Sequence, residues 1–252
     1  LAAGPSISGT NGEITKKQLT HIAISKTYDG YDILHWDGTA VPVGGVSTLS
    51  KANTTRVDGL VLQENFSYNY GDATILSKDV ATANNYISSI ELRNNGDGSG
   101  FLARNYNLPT LNSTNTPATV NTKRVNLSAI KTYDGNDILD GSEVTITTGV
   151  NPNGTTETLT YSDATSSSAR VAGPDGDASV EDNYIDGITL GNASDGSGGL
   201  SSNYHRPSLS TINKTEEVTI NAVTINPATL IPTLTNSGYS QVYDGALEAD
   251  LT

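Results

Sequence analysis

HIAISKTYDGYDIL, from His21 to Leu34, alternates apolar and polar residues and then breaks at an Asp-Gly; NLSAIKTYDGNDIL, from Asn126 to Leu139, does the same. Within these stretches KTYDGYDIL and KTYDGNDIL agree at eight of nine positions, 105 residues apart, and Val242-Tyr243-Asp244-Gly245 opens the pattern a third time. Ile22, Ile24, Lys26 and Tyr28 share one face of the first copy, and Leu127, Ala129, Lys131 and Tyr133 share that face of the second. A period of two is that of a half-buried strand. Asp29-Gly30 and Asp134-Gly135 then read as turns, with Asp bonding its own backbone and Gly taking a positive φ. Tyr28 and Tyr133 are expected to bury their rings and tie their hydroxyls to backbone.

Further blocks recur in the same order. Tyr70-Gly71-Asp72-Ala73-Thr74 answers to Tyr161-Ser162-Asp163-Ala164-Thr165, and Asn85-Tyr86-Ile87 to Asn183-Tyr184-Ile185. Asp97-Gly98-Ser99-Gly100 matches Asp195-Gly196-Ser197-Gly198, and Asn105-Tyr106 matches Asn203-Tyr204. Length differences place extra residues around 37–60 in the first copy and around 166–180 in the second, where loops absorb them. A boundary block precedes each YDG: Ile14 to Leu19, Val120 to Val125, and Ile225 to Leu230. The chain therefore divides into residues 1–20, the end of a preceding repeat or a leading strand; 21–124, the first repeat; 125–229, the second; and 230–252, the start of a third repeat or a capping strand. Alternation resumes after each Asn-Tyr, setting Tyr86, Ile90 and Leu92 on one side and Tyr184, Ile188 and Leu190 on the equivalent side, with both tyrosines as structural residues.

Short strands separated by Asp-Gly and Asn-Gly dipeptides predict an all-β chain. The expected architecture is a tandem of immunoglobulin-like β-sandwich repeats arranged end to end, with β-grasp-like repeats as the alternative. Thr, Ser, Asn, Asp and Gly in place of strong helix formers argue against long helices. A formal charge of −13 over 252 residues would repel a nucleic-acid backbone or an anionic membrane. No cysteine is present, which removes disulfides and thiolate chemistry together. No apolar run reaches the roughly 20 residues that span a bilayer, so no membrane insertion of this segment is expected.

The K-x-Y-D-G opening, the later N-Y and the closing apolar strand resemble the YDG/MBG-type repeats of large bacterial surface adhesins, including filamentous-haemagglutinin-like proteins exported by two-partner secretion. That resemblance covers nearly the whole chain. It implies a secreted or cell-surface protein of bacteria, acting as an extended stalk or spacer in cell adhesion or biofilm formation, with adjacent repeats of the same chain as partners. An alternative is an adhesive module that contacts a host-cell, matrix or biofilm glycan or protein. The resemblance carries no catalytic residues.

Candidate sites are few. Asp175, Asp177 and Asp182 sit in an acidic stretch whose alternate oxygen-bearing side chains could converge on Ca²⁺, a hard cation; the competing reading is a solvated acidic loop. Trp36, the single tryptophan, opens the long loop 36–59 and is a candidate ligand contact, because a flat ring with an N–H suits glycan and protein surfaces. Loop 36–59 and the acidic loop 175–182 are the two candidate contact regions. Lys26 and Lys131, on the apolar strand face, read as snorkelling lysines, with an intramolecular isopeptide link as the alternative. His21, His35 and His205 fall in no metal-ligating spacing, and no nucleophile elbow, P-loop or dinucleotide fingerprint occurs. No enzyme and no cofactor beyond possible Ca²⁺ are expected.

Overall fold

The computed structural model describes residues 14–36, 51–61, 66, 68, 73–94, 101–171, 183–210, 214–215 and 218–231. The chain is all-β. In the first repeat run β1 (Lys17–Gln18), β2 (His21–Thr27), β3 (His35–Trp36), β4 (Lys51–Asp58), β5 (Thr74–Ile75), β6 (Ile87–Ser89), β7 (Tyr106–Asn107) and β8 (Ala118–Asn121). In the second run β9 (Lys123–Arg124), β10 (Asn126–Thr132), β11 (Val144–Thr147), β12 (Thr160–Ser166), β13 (Ile185–Gly191), β14 (Tyr204–His205), β15 (Lys214–Thr215), β16 (Val218–Thr219) and β17 (Asn221–Asn226).

The opening strand is the axis of each repeat. β2 pairs antiparallel with β4 and parallel with β8, the closing strand. β10 does the same with β11 and β17. Its two faces differ as the alternation demands: Ile22, Ile24, Lys26 and Tyr28 point into the core, as do Leu127, Ala129 and Lys131. The second hairpin of each repeat, β5–β6 or β12–β13, bridges back through Ile33 to Thr74 and Ile138 to Thr165. The buried apolar residues of both repeats form one contiguous core, running from Leu19 and Ile22 through Val125 and Leu127 to Val223 and Ile225.

The strand pairing corrects three sequence readings. β1 pairs parallel with β7, as a leading strand within residues 1–20 would, and β9 pairs parallel with β14, so Lys123–Arg124 lies with the second repeat, just before the boundary drawn at 125. The stretch 36–59 is not one loop: Lys51–Asp58 is an eight-residue strand that pairs along β2, and His35–Trp36 pairs parallel with Lys51–Ala52. The third correction concerns the residues after Asn-Tyr. Tyr86 and Tyr184 are only half-buried, while Ile87 and Ile185 beside them are fully buried, as are Ile90 and Ile188. Ile75 faces Ile87 and Thr74 faces Ser89, leaving Ser88 as an extra residue; Ser166 faces Ile185 and Thr165 faces Gly187, leaving Asp186. One inserted residue turns the rest of the strand over, so core positions fall three apart instead of two.

Candidate functional site at the joint between the repeats

The two described YDG turns are each built around a buried lysine. The Lys26 Nζ donates to Asp29 Oδ1 at 2.7 Å and to the carbonyls of Tyr31 and Ile33 at 3.0 and 2.9 Å. Lys131 repeats the pattern, with Asp134 Oδ1 at 2.9 Å and the carbonyls of Asn136 and Ile138 at 3.2 and 2.6 Å. The ammonium head is thus spent inside the turn and not in solvent, and that of Lys131 also donates to the Asn136 side-chain oxygen at 3.2 Å. Burial pulls the Lys26 ammonium below its usual range, against the opposing pull of the Asp29 carboxylate. The same aspartates accept backbone N–H bonds two residues on, from Tyr31 at 3.0 Å and Asn136 at 3.1 Å. Gly30 and Gly135 hold φ of 86° and 89°. K-x-Y-D-G is one device: strand, buried cation, Asx turn and left-handed glycine.

The turn in turn aims Tyr28 across to the second repeat. Its ring is fully buried, and its hydroxyl donates to the Glu157 carboxylate, with Oε1 at 2.8 Å and Oε2 at 3.0 Å. Tyr204 reaches the same carboxylate from the other side, donating to Oε2 at 2.7 Å. The two rings meet edge to face, centroids 5.4 Å apart and planes at 78°, a favoured aromatic geometry. Lys78 of the first repeat lies over the Tyr28 ring, 5.3 Å from its centroid, and donates to the Tyr28 hydroxyl at 3.2 Å and to Asp79 Oδ1 at 3.1 Å. Burial lowers the Lys78 ammonium, but the Tyr28 and Asp79 oxygens outweigh it and leave it raised. Burial, and then the Glu157 acceptor, push the Tyr28 phenol up to about 12, and the same causes raise Tyr204.

Around this acid-centred trio the backbones interlock. The Asn203 side chain, fully buried at the end of the 3-10 turn Ser201–Asn203, accepts the Val80 N–H at 2.9 Å and donates to Asp79 Oδ1 at 2.9 Å. Tyr31 offers its hydroxyl oxygen to the Asn153 N–H at 2.9 Å. Gly30 presses on the second repeat so closely that a Cβ there would lie 3.0 Å from Val150 Cγ1 and 3.1 Å from Pro152.

Glu157 is held rigidly. Its N–H donates to the Val150 carbonyl at 2.9 Å, and its carbonyl accepts the Thr148 hydroxyl at 2.7 Å. Thr158, the next residue, is pinned by the Asp195-Gly196-Ser197-Gly198 loop: its hydroxyl donates to Asp195 Oδ2 at 2.7 Å, and its N–H to Ser197 Oγ at 2.9 Å. The Thr158 hydroxyl, then the Ser197 N–H and hydroxyl, draw the Asp195 carboxyl down to about 2. Following them, Gly199 lies against Thr158 so tightly that a Cβ would overlap the Thr158 carbonyl oxygen. The Asp-Gly-Ser-Gly block of the second repeat is thus a clamp on the segment before β12 that carries Glu157.

No family model, curated protein or solved structure matches this chain.

The candidate residues divide as follows. Tyr28 and Gly30 meet the second repeat with Asp29 buried between them, and the Tyr28 hydroxyl finds a carboxylate where backbone was expected. Tyr133, Asp134 and Gly135 form the same turn, but Tyr133 is 44% exposed and, among the described residues, nothing lies within 4 Å of a Cβ on Gly135. Tyr86 and Tyr184 lie outside the joint, the latter donating to the Ser210 carbonyl at 3.2 Å; the asparagines before them are the buried members, Asn85 and Asn183 bonding the backbone of Ser77 and Ser168. The Trp36 backbone ends β3, and its side chain lies outside the described residues, as do Asp175, Asp177 and Asp182 with the rest of the acidic loop. Among the described residues no cluster of three His, Asp or Glu side chains is placed to hold a metal, and no helix is long and apolar enough to cross a membrane.

Sequence reasoning missed Glu157, Lys78 and Asn203. The register that aligns Tyr70 with Tyr161 sets Phe66 where Glu157 stands. An acid at a position that is aromatic and buried in the sister repeat was the available signal. In the first repeat Phe66, Tyr68, Phe101 and Tyr106 fill that corner as an aromatic cluster, with Phe101 and Tyr106 stacked at 5.1 Å.

Proposed function

We propose that this chain is an extracellular repeat region of a bacterial surface adhesin and acts as a stalk or spacer, with no catalytic role. The observation that carries the reading is the joint at Tyr28, Glu157 and Tyr204. Two repeats tied by a buried carboxylate, two phenols and a fully buried asparagine transmit orientation from one to the next, which is what a spacer requires and a flexible linker does not supply. The acidic surface suits a soluble, self-repelling projection.

The finer fold reading follows strand order. Opening and closing strands lie parallel and adjacent in each repeat, with the hairpin partner on the other side. An immunoglobulin-like sandwich is built of two antiparallel sheets, so this mixed arrangement favours the β-grasp-like alternative. Contact between the turn end of one repeat and the opposite end of the next supports the end-to-end arrangement.

The test is binding of the labelled chain to a panel of glycans, matrix proteins and bacterial exopolysaccharide, with and without Ca²⁺. The spacer reading expects no saturable binding. Saturable binding lost on Trp36→Ala, or dependent on Ca²⁺ and lost on Asp177→Ala, would replace it with an adhesive module acting through the 36–59 or the 175–182 region.

A further inference from the structure

The two repeats present the same turn, one covered and one open, and the boundary block supplies a second, independent comparison. Leu19 and Val125, the last residues of the first two blocks, are both 0% exposed; Leu230, in the same place of the third block, is 91% exposed, with Ile231 beside it also exposed. At the other end of that block, Ile14 is 99% exposed, while Val120 and Ile225 are buried in β8 and β17. Each of these positions is buried wherever a repeat lies on the side it faces. Tyr28 against Tyr133, and Gly30 against Gly135, repeat that contrast on the turn itself.

We propose that the turn face of Tyr133 and Gly135 is a preformed docking surface for a further repeat of this same kind, the one that opens at Val242-Tyr243-Asp244-Gly245, whose own core takes in Leu230 as the first two repeats take in Leu19 and Val125. The occupant is specified by its chemistry. Like the second repeat, and unlike the first with its Phe66, it brings a carboxylate on a clamped segment to receive the Tyr133 hydroxyl, a tyrosine to meet that ring edge to face, and small apolar residues, like Val150 and Pro152, to close on Gly135. Continuity with the existing joint carries the argument: Lys131, Asp134 and Gly135 already hold the turn in the geometry that Lys26, Asp29 and Gly30 adopt when docked, so little ordering cost remains to be met on binding. The interface is head to tail, which propagates along a chain instead of closing into a ring. Three positions will differ. Ala169 replaces Lys78 and brings no cation to the Tyr133 ring, and Asn136 replaces Tyr31, whose hydroxyl accepts the Asn153 N–H in the existing joint. Arg170 stands where the first repeat has Asp79 in the alignment of Ser77 with Ser168, so the rim bond made there by Asn203 must be replaced by a group that accepts from a guanidinium.

This proposal rests on the tandem-repeat reading, and its test is separable from it. Residues 1–231 are continued in register by a second copy of residues 127–226, so that Leu230 takes the place of Val125 and Tyr133 faces a copy of Glu157 and Tyr204. The tyrosinate absorbance that disappears on Tyr133→Phe should then develop at higher pH in the lengthened chain than in the 252-residue chain. Leu230→Asp should lower the unfolding midpoint of the lengthened chain while leaving that of the 252-residue chain unchanged. Identical Tyr133 titration in the two chains, or a neutral Leu230→Asp in both, overturns the proposal. An added copy that stays unfolded overturns it equally, because in a nearest-neighbour array a repeat draws stability from the face on which it sits. Failure here would leave a stalk of loosely hinged repeats, whereas ligand binding by the chain would displace the stalk reading and leave the docking face intact.

Discussion

The turn at Tyr28-Asp29-Gly30 and the turn at Tyr133-Asp134-Gly135 share a sequence, a backbone and a lysine, and differ in what covers them. Asp29 is sealed from solvent with its ion-pair partner, while Asp134 is half exposed beside an equally buried Lys131. Tyr28 is a core residue of the joint and Tyr133 a surface one. The motif therefore specifies the turn, and the neighbour decides whether its tyrosine and aspartate become interior groups. Tyrosine suits both settings, since its ring can be buried while its hydroxyl needs only one acceptor at the edge.

The sharpest way to break this comparison is to remove the two lysines. Lys26→Met leaves the Asp29 carboxylate buried without its cation, together with two carbonyls that lose their donor, and a buried pair broken from one side costs about 3–5 kcal/mol. Lys131→Met strands a carboxylate that water already reaches, so the loss there is confined to the carbonyls and is about 1–2 kcal/mol. Urea unfolding measures both. Equal losses would mean that covering by the second repeat adds nothing to the first turn.

A smaller difference is expected at the glycines. Gly135→Val forces a β-branched side chain into positive φ and should cost about 1–3 kcal/mol from backbone strain alone. Gly30→Val carries the same strain and also drives its methyl groups into Val150 and Pro152, where overpacking adds about 1–3 kcal/mol. Thermal unfolding of the two variants should rank Gly30→Val as the more damaging. An unchanged melting curve for Gly135→Val would sink the assignment of that turn.

Much of this was legible in the residues and some was not, for reasons that can be named. Alternation in β2 and β10 placed Ile22, Ile24, Leu127 and Ala129 correctly because the extra residue beside β2, Thr55, sits on its partner β4, so β2 itself keeps its parity. After Asn-Tyr the same rule misplaced Tyr86 and Tyr184, because the extra residues Ser88 and Asp186 invert the faces and leave no mark in composition. Asp-Gly announced both turns, yet the lysine three residues before each aspartate read as a surface-seeking side chain; its partners are carbonyls further along the chain, and a carbonyl is the same at every position. The joint was hidden most deeply. Asn203-Tyr204 stood out as a repeated pair, but Glu157 has no acidic counterpart in the first repeat, and a contact unique to one interface cannot appear in a pattern shared by two repeats.

The finest probe of the comparison is the hydroxyl itself. Tyr28→Phe keeps the ring and deletes one donor to a buried carboxylate, a charge-assisted bond whose loss costs about 2 kcal/mol, whereas Tyr133→Phe, at a half-open surface, should stay within about 0.5 kcal/mol. Alkaline pH asks the same question without mutation. The Tyr28 phenol is pushed up to about 12 in the folded chain, and Tyr204 is raised with it, while a tyrosine in the unfolded chain titrates near ~10. The folded state therefore holds these protons where the unfolded state releases them, so their contribution to stability is whole below about pH 10 and is lost as pH rises through 12. Urea midpoints followed across that window should fall steeply in the unmodified chain and in Tyr133→Phe, and less steeply in Tyr28→Phe, which has one fewer proton to hold. A Tyr28→Phe profile parallel to the unmodified one would mean that the alkaline loss arises elsewhere, and that the Glu157 carboxylate does not tie the two repeats through this hydroxyl.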